Sequence, residues 1–137
     1  MISFVIDASV VIAWAFKEKH ASAELAFSRI QTEQAIAPAL WWYELRSVLL
    51  VGERQGRLTD RETARFLRDI SRLAITVDSS PNEIQVLTLA RRHRLTVYDA
   101  AYLELAFREG LPLATLDEAL ASAARAERVL LIGEEGE

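Results

Sequence analysis

Apolar residues along this chain fall into short continuous runs and longer periodic stretches, divided by polar turns. Phe4-Val5-Ile6 is a run of strand formers that stops abruptly at Asp7. Ala8 and Ser9 follow, and then a second run, Val10-Val11-Ile12-Ala13-Trp14. This predicts a buried strand, a tight turn and a helix, with Asp7 at the strand's carboxyl end. Residues 21–30 read as a second helix with Leu25 and Ile30 inward, and 35–37 as a short strand that Pro38 ends. A third helix, 39–54, has the strongest periodicity and stops near Gly56. Thr59-Asp60-Arg61-Glu62 is spaced as a capping box, opening a fourth helix with Phe66, Leu67, Ile70 and Leu73 inward. Residues 75–77 form a third strand. Ser80, Pro81 and Glu83 then stand at the cap, first and third positions of a helix that runs to about His93. A helix over 98–108 is stopped by Gly110. A strand over 113–115, a helix over 117–126 and a last strand over 129–132 complete the pattern. Strands alternate with helices, so the expected class is α/β, a mainly parallel sheet with helices on both faces.

At 137 residues the chain is long enough for one domain with a real core. There is no repeat and no low-complexity linker, so a single domain is expected over 1–133, followed by an acidic tail over 134–137. No apolar run is long enough to span a bilayer, and no basic stretch leads into a signal-type segment. The absence of cysteine removes disulfides and thiolate metal sites. Together these features predict a cytoplasmic protein with no membrane partner. A net charge of −4 argues against general, charge-driven nucleic-acid binding, for which a domain is usually basic. Acids clustered in one pocket would lower the total without making the whole surface acidic.

Four acids sit where a carboxylate is costly. Asp7 ends an apolar strand, at the edge where open α/β sheets bind ligands, and needs a partner there. At about 100° per residue, Glu44 lies on the side of the third helix shared by Trp41, Val48 and Val51. Asp99 opens a helix on the side of Tyr102, Leu103 and Ala106, and Asp117 follows the strand 113–115. Each also has an ordinary structural explanation. Asp7 or Ser9 can cap the first helix, and Glu44 can lie at the edge of its stripe with its head in water. Asp99 can be an N-cap, and Thr115-Leu116-Asp117-Glu118 reads as a capping box. Taken together, the acids point to one carboxyl edge of one sheet. Several carboxylates in one pocket cannot all ionise without a cation. Hard oxygen ligands with no Cys and only two His suit Mg²⁺ or Mn²⁺, and such sites perform phosphoryl chemistry.

These residues resemble a family. Val5-Ile6-Asp7-Ala8-Ser9, Ala37 through Glu44, Val97 through Leu103 and Ala114-Thr115-Leu116-Asp117 look like PIN-domain ribonucleases, above all the VapC toxins of toxin–antitoxin pairs. The likeness covers nearly the whole chain, and its specificity lies in the ordered set of four motifs. It implies a three-layer α/β/α sandwich and a Mg²⁺- or Mn²⁺-dependent endoribonuclease acting on RNA. It also implies a homodimer, silenced by a cognate antitoxin. Asp7, Glu44, Asp99 and Asp117 match the family's acidic site, with Ser9 and Thr115 as supporting hydroxyls. A metal would rest chiefly on Asp7 and Asp99, directly or through water, with Asp117 and Glu44 helping to place metal or water.

Other features weigh less. Arg91-Arg92-His93-Arg94 can touch phosphate, but it also suits a helix C-terminus. His20 and His93 are isolated and take no catalytic role. Trp41 and Trp42 are adjacent, so one belongs to the core and the other to an antitoxin or dimer contact. A phosphoacceptor signalling domain would place paired acids after the first strand and a Lys after the last. A haloacid-dehalogenase-like phosphatase would have a second Asp where Ser9 stands. A non-catalytic module that keeps only the fold is the remaining alternative.

Overall fold

The structure, a computed structural model, describes residues 1–134. Strands β1 (Ile2–Ile6), β2 (Gln34–Pro38), β3 (Ile75–Asp78) and β4 (Leu113–Ala114) form one sheet in the order β3-β2-β1-β4, every pair parallel. Parallel neighbours need a crossover, and crossovers are right-handed. The steps from β1 to β2 and from β2 to β3 go the same way. They place α1 (Ala8–Ala15), α2 (Ala21–Ile30), α3 (Leu40–Arg54) and α4 (Asp60–Ile70) on one face. The step from β3 to β4 returns the other way, so α5 (Glu83–His93) and α6 (Val97–Glu109) cover the opposite face. The packing agrees. Helix α1 rests on α2 and α3, and α3 on α4, while α6 rests on the sheet, on α5 and on α7 (Glu118–Ala126). The fold is a three-layer α/β/α sandwich.

Coverage on both faces explains the unbroken apolar strands. Phe4, Val5, Ile6, Ala35, Ala37, Leu113 and Ala114 have no exposed surface. The capping box at Thr59 and Glu62 is present with both its hydrogen bonds. Gly110 closes α6 at φ 65°, a left-handed turn that a Cβ would strain.

Several expectations are corrected. The last strand, 129–132, makes a single parallel bridge between Leu131 and Leu113. Leu113 N–H donates to Leu130 O and Ile132 N–H to Leu113 O, and the ladder stops there. Pro112 has no N–H to extend it, and the chain leaves the sheet after Ala114. The cap of α5 is Asn82, which accepts Gln85 N–H on its side chain, rather than Ser80. Leu25 of α2 is exposed, and the buried face is Ala23, Ala26 and Ile30. Helix α4 ends at Ile70, the one buried member of the four apolar positions expected on it; Phe66 and Leu67 are partly covered, as is Leu73 in the turn that follows. Of the expected tail, Glu134 pairs with Arg125 at 2.8 Å, and residues 135–137 lie outside the described residues. Among the described residues no helix is long and apolar enough to cross a membrane.

Candidate active site

In a doubly wound sheet, ligands bind at the carboxyl edge where neighbouring strands send their chains to opposite faces. That point lies between β1 and β4, since β1 leads to α1 on one face and β4 to α7 on the other. Asp7 is the first residue after β1, and Thr115 the first after β4.

Asp7 is 6% exposed and occupies the N-cap position of α1, yet its side chain makes no capping hydrogen bond. Instead its Oδ2 accepts the hydroxyls of Ser9 and Thr115, each at 2.7 Å. Those hydroxyls are aimed by the backbone. Leu116 N–H donates to Ser9 Oγ and Asp117 N–H to Thr115 Oγ1, both at 3.0 Å. With each oxygen already accepting, its own proton is directed to Asp7. Burial pushes the Asp7 carboxyl above its ordinary range; the two hydroxyls pull it back, and the charge of Asp117 pushes it up.

Asp99 is not a cap. Thr96 caps α6 and accepts Asp99 N–H on its hydroxyl at 3.1 Å, which leaves the Asp99 carboxylate free of that task. Asp117 is a cap: its Oδ1 accepts Leu120 N–H at 3.0 Å. The box expected from Thr115 does not form, because the N-cap is Asp117 and Thr115 Oγ1 accepts Asp117 N–H rather than the N–H of residue 118.

Glu44 sits on the flank of the buried stripe of α3 rather than inside it. The stripe is Trp41, Leu45, Leu49 and Gly52, whereas Val48 and Val51 are exposed. Gly52 allows α3 to close on the end of α1, where an added Cβ would stand 2.7 Å from Phe16 Cζ. On the flank, Glu44 Oε1 accepts the Tyr102 hydroxyl at 2.6 Å. Burial raises the Glu44 carboxyl; the Tyr102 hydrogen bond lowers it, and the charges of Asp7 and Asp99 raise it further. Asp99 is raised by burial first, then by Asp117 and Asp7. The Tyr102 phenol is pushed far above its usual range by burial and the neighbouring carboxylates, so it stays protonated.

Asp7, Glu44, Asp99 and Asp117 line one cavity of ≈ 490 Å³, with Ser9, Tyr43, Ser47 and Val48 among its other walls. No Lys, Arg or His lines it among the described residues. Also among the described residues, no group of three or more His, Cys, Asp or Glu is arranged to hold a metal ion. A closed, all-protein cage is therefore absent from these residues. Mg²⁺ does not need one, because it keeps several waters and takes one or two carboxylates plus substrate phosphate oxygens. The hard oxygen donors here, Asp7 buried and the other three partly so, with no cationic side chain lining the cavity among the described residues, fit such an ion.

Three lining or supporting residues escaped the sequence reading. Tyr102 lies three residues beyond Asp99, and Ser47 three beyond Glu44, so helical spacing already placed each on its acid's face. Tyr43, 69% exposed at the cavity wall, had no such signal. In the basic run, Arg92 and His93 both bind Glu127 Oε2, at 2.7 and 2.6 Å, joining α5 to the end of α7. His20 stands 3.8 Å from Glu18. Trp41 is the core member of its pair, and Trp42 is exposed.

The sequence pattern of the PIN domain matches residues 4–126, from β1 through α7. The chain belongs to the PIN domain family. One PIN relative, Ribonuclease VapC3 of Pyrobaculum aerophilum, is 35% identical over 121 residues, which are 85% of this chain and 91% of the relative. The crystal structure of PAE2754 from Pyrobaculum aerophilum superposes with a TM-score of 0.70 at 27% identity, over 89% of this chain and 86% of that one. A toxin–antitoxin complex from Klebsiella pneumoniae superposes with a TM-score of 0.59 at 18% identity, over 84% and 87% of the two chains. That last likeness speaks to the PIN fold alone.

Proposed function

We propose that this PIN-domain protein is a Mg²⁺- or Mn²⁺-dependent endoribonuclease, the toxin of a toxin–antitoxin pair. The observation that carries this reading is one cavity at the β1/β4 edge lined by Asp7, Glu44, Asp99 and Asp117 with no cationic side chain. Its relative named as a ribonuclease, similar over most of both chains, supports the choice of RNA. Asp7 and Asp99 would hold the ion, with Asp117 a further ligand through the oxygen that does not cap α7. When bound, such an ion activates water and offsets charge on the phosphate oxygens. Ser9 and Thr115 hold the Asp7 carboxylate in one orientation. Glu44, whose carboxyl burial raises above its ordinary range, would take a proton from the attacking water. Water would add to phosphorus, one P–O ester bond would break, and the proton taken up by Glu44 would pass to the leaving oxygen.

A site of this kind must be restrained in a living cell. The antitoxin would be a protein segment that wraps α3 and inserts an Arg toward Glu44 and Asp99, since the guanidinium fork pairs carboxylates. The exposed pair Trp42 and Tyr43, with ring centroids 5.0 Å apart, offers apolar area beside the cavity. The protein would act as a homodimer in the cytoplasm. Purified protein incubated with a mixed RNA pool tests the activity: cutting with Mg²⁺ or Mn²⁺, and none with EDTA, is expected. Cutting in EDTA would defeat the metal-dependent reading, and no cutting of any RNA in Mn²⁺ would favour a non-catalytic PIN module.

A further inference from the structure

We propose that Tyr102 is a positioning residue of this site: its hydroxyl fixes Glu44 and ties it to the segment that carries Asp7. The inference rests on reading the cavity as a metal-dependent nuclease site.

The Tyr102 oxygen is a junction of three helices. The residue belongs to α6, one helical turn beyond Asp99 and on the same face. Its hydroxyl donates to Glu44 Oε1 of α3 at 2.6 Å. The same oxygen lies 3.4 Å from the backbone N–H of Ala8, the first residue of α1 and the neighbour of Asp7. Each of these three elements brings one acid to the cavity.

A phenol has a single proton. With Ala8 N–H directed at its oxygen, that proton belongs to Glu44. The 2.6 Å separation is in the range of charge-assisted O–H···O⁻ bonds, the stronger class. Oε1 is thereby held, and Glu44 presents its other oxygen in one orientation. Tyr102 is 0% exposed, so the space behind Glu44 is closed to solvent. Without the hydroxyl, Glu44 would be half-buried with no donor on Oε1 and free to turn. A tyrosine that was only a core filler could satisfy its hydroxyl on any carbonyl. Here the partner is a carboxylate of the acid cavity.

The test compares wild type, Tyr102→Phe, Glu44→Gln and the double variant. Three measurements are made: Mn²⁺ binding without RNA, by electron paramagnetic resonance of the free ion; kcat and KM for cleavage of a fixed RNA; and melting in EDTA. Tyr102→Phe is expected to melt cooperatively and to lose roughly ten- to a hundred-fold in kcat or in Mn²⁺ affinity, the range seen when a hydrogen-bond partner that orients a metal-site residue is removed. KM for RNA should stay within about twofold, because Tyr102 touches no substrate. The double variant should lose no more than Glu44→Gln alone, since both changes break one interaction. Tyr102→Phe that binds Mn²⁺ and cuts like wild type overturns the inference. So does a double variant whose loss is the product of the two single losses. A wild-type protein that neither binds Mn²⁺ nor cuts RNA overturns the nuclease reading itself, a result visible before any variant is compared.

Discussion

The Asp99 carboxylate gives the sharpest thermodynamic prediction, because its replacement by Asn changes charge and little else. Thr96 keeps the cap of α6 and the hydrogen bond from residue 99 N–H. In metal-free protein two effects oppose each other. Asp99 lies in the first turn of α6, where the helix dipole favours a negative charge by about 0.3–1 kcal/mol. Asp117 and Asp7 act against it and raise its carboxyl. At an effective dielectric near 20, two like charges repel by about 4 kcal/mol at close contact, and carboxylates facing one another across a cavity by about half that. The open mouth of the cavity and salt reduce that to roughly half, so two neighbours contribute about 2 kcal/mol in all. The net gain from Asp99→Asn is then about 1–1.5 kcal/mol, which raises the melting temperature by about 3–5 °C in a domain of this size. Mn²⁺ at ten to a hundred times its dissociation constant should stabilise wild type by roughly 1.4–2.7 kcal/mol. The variant has lost a ligand and should gain less, so its lead shrinks or reverses as Mn²⁺ rises. The assay is thermal melting of both proteins in EDTA and across a Mn²⁺ series at fixed ionic strength. If Asp99→Asn melts no higher than wild type in EDTA, and Mn²⁺ moves neither curve, the acids do not share a cation site.

Three further outcomes follow from the same contacts. Asp7, Glu44 and Asp99 have raised carboxyls, so the folded state holds their protons more tightly than the unfolded chain does. Their contribution to stability is fully present below about pH 4 and is lost as pH rises through their folded values. Glu33, Glu62, Glu127 and Glu134 are lowered and lose stability only as pH falls below about 4.3. Metal-free protein should therefore melt progressively lower as pH rises from about 4.3 to about 7, and a flat or rising curve over that window contradicts the raised carboxyls. Thr115→Val removes one donor from Asp7 and leaves Asp117 N–H without its acceptor, which should cost about 1–3 kcal/mol in urea unfolding. Arg108 binds Glu104 Oε2 at 2.6 Å and Asp78 Oδ2 at 2.9 Å, and Glu104 is only 1% exposed. Arg108→Met should cost about 3–5 kcal/mol, and adding Glu104→Gln should recover part of it; an undiminished loss would mean the buried charge is not the cause.

Asp7 was legible because a run of strand formers cannot end in a carboxylate without an explanation. The order of the elements was legible because the central strands are short apolar runs and the helices between them are periodic. Other features depend on tertiary distances that spacing does not carry. The angle of about 100° per residue places Glu44 near the apolar stripe of α3 but cannot separate its centre from its flank, which the packing of Leu45 and Leu49 decides. The cap of α6 falls on Thr96, outside the predicted helix, because its first turn extends back to Val97. Asp99 thereby loses its ordinary explanation and Asp117 keeps it. The strand expected at 129–132 has the right residues but meets β4 where only Leu113 offers both a donor and an acceptor. Tyr102 read as an inward-facing helical residue, and its partner lies 58 positions away on another helix.

The central claim is that Asp7, Glu44, Asp99 and Asp117 form one divalent-cation site at the β1/β4 edge. Anomalous diffraction from crystals grown with Mn²⁺ tests it directly. The account predicts an anomalous peak inside the cavity, within direct or water-mediated reach of Asp7 and Asp99, which disappears in Asp7→Asn crystals. No peak there at saturating Mn²⁺, or a peak that survives Asp7→Asn unchanged, would contradict it.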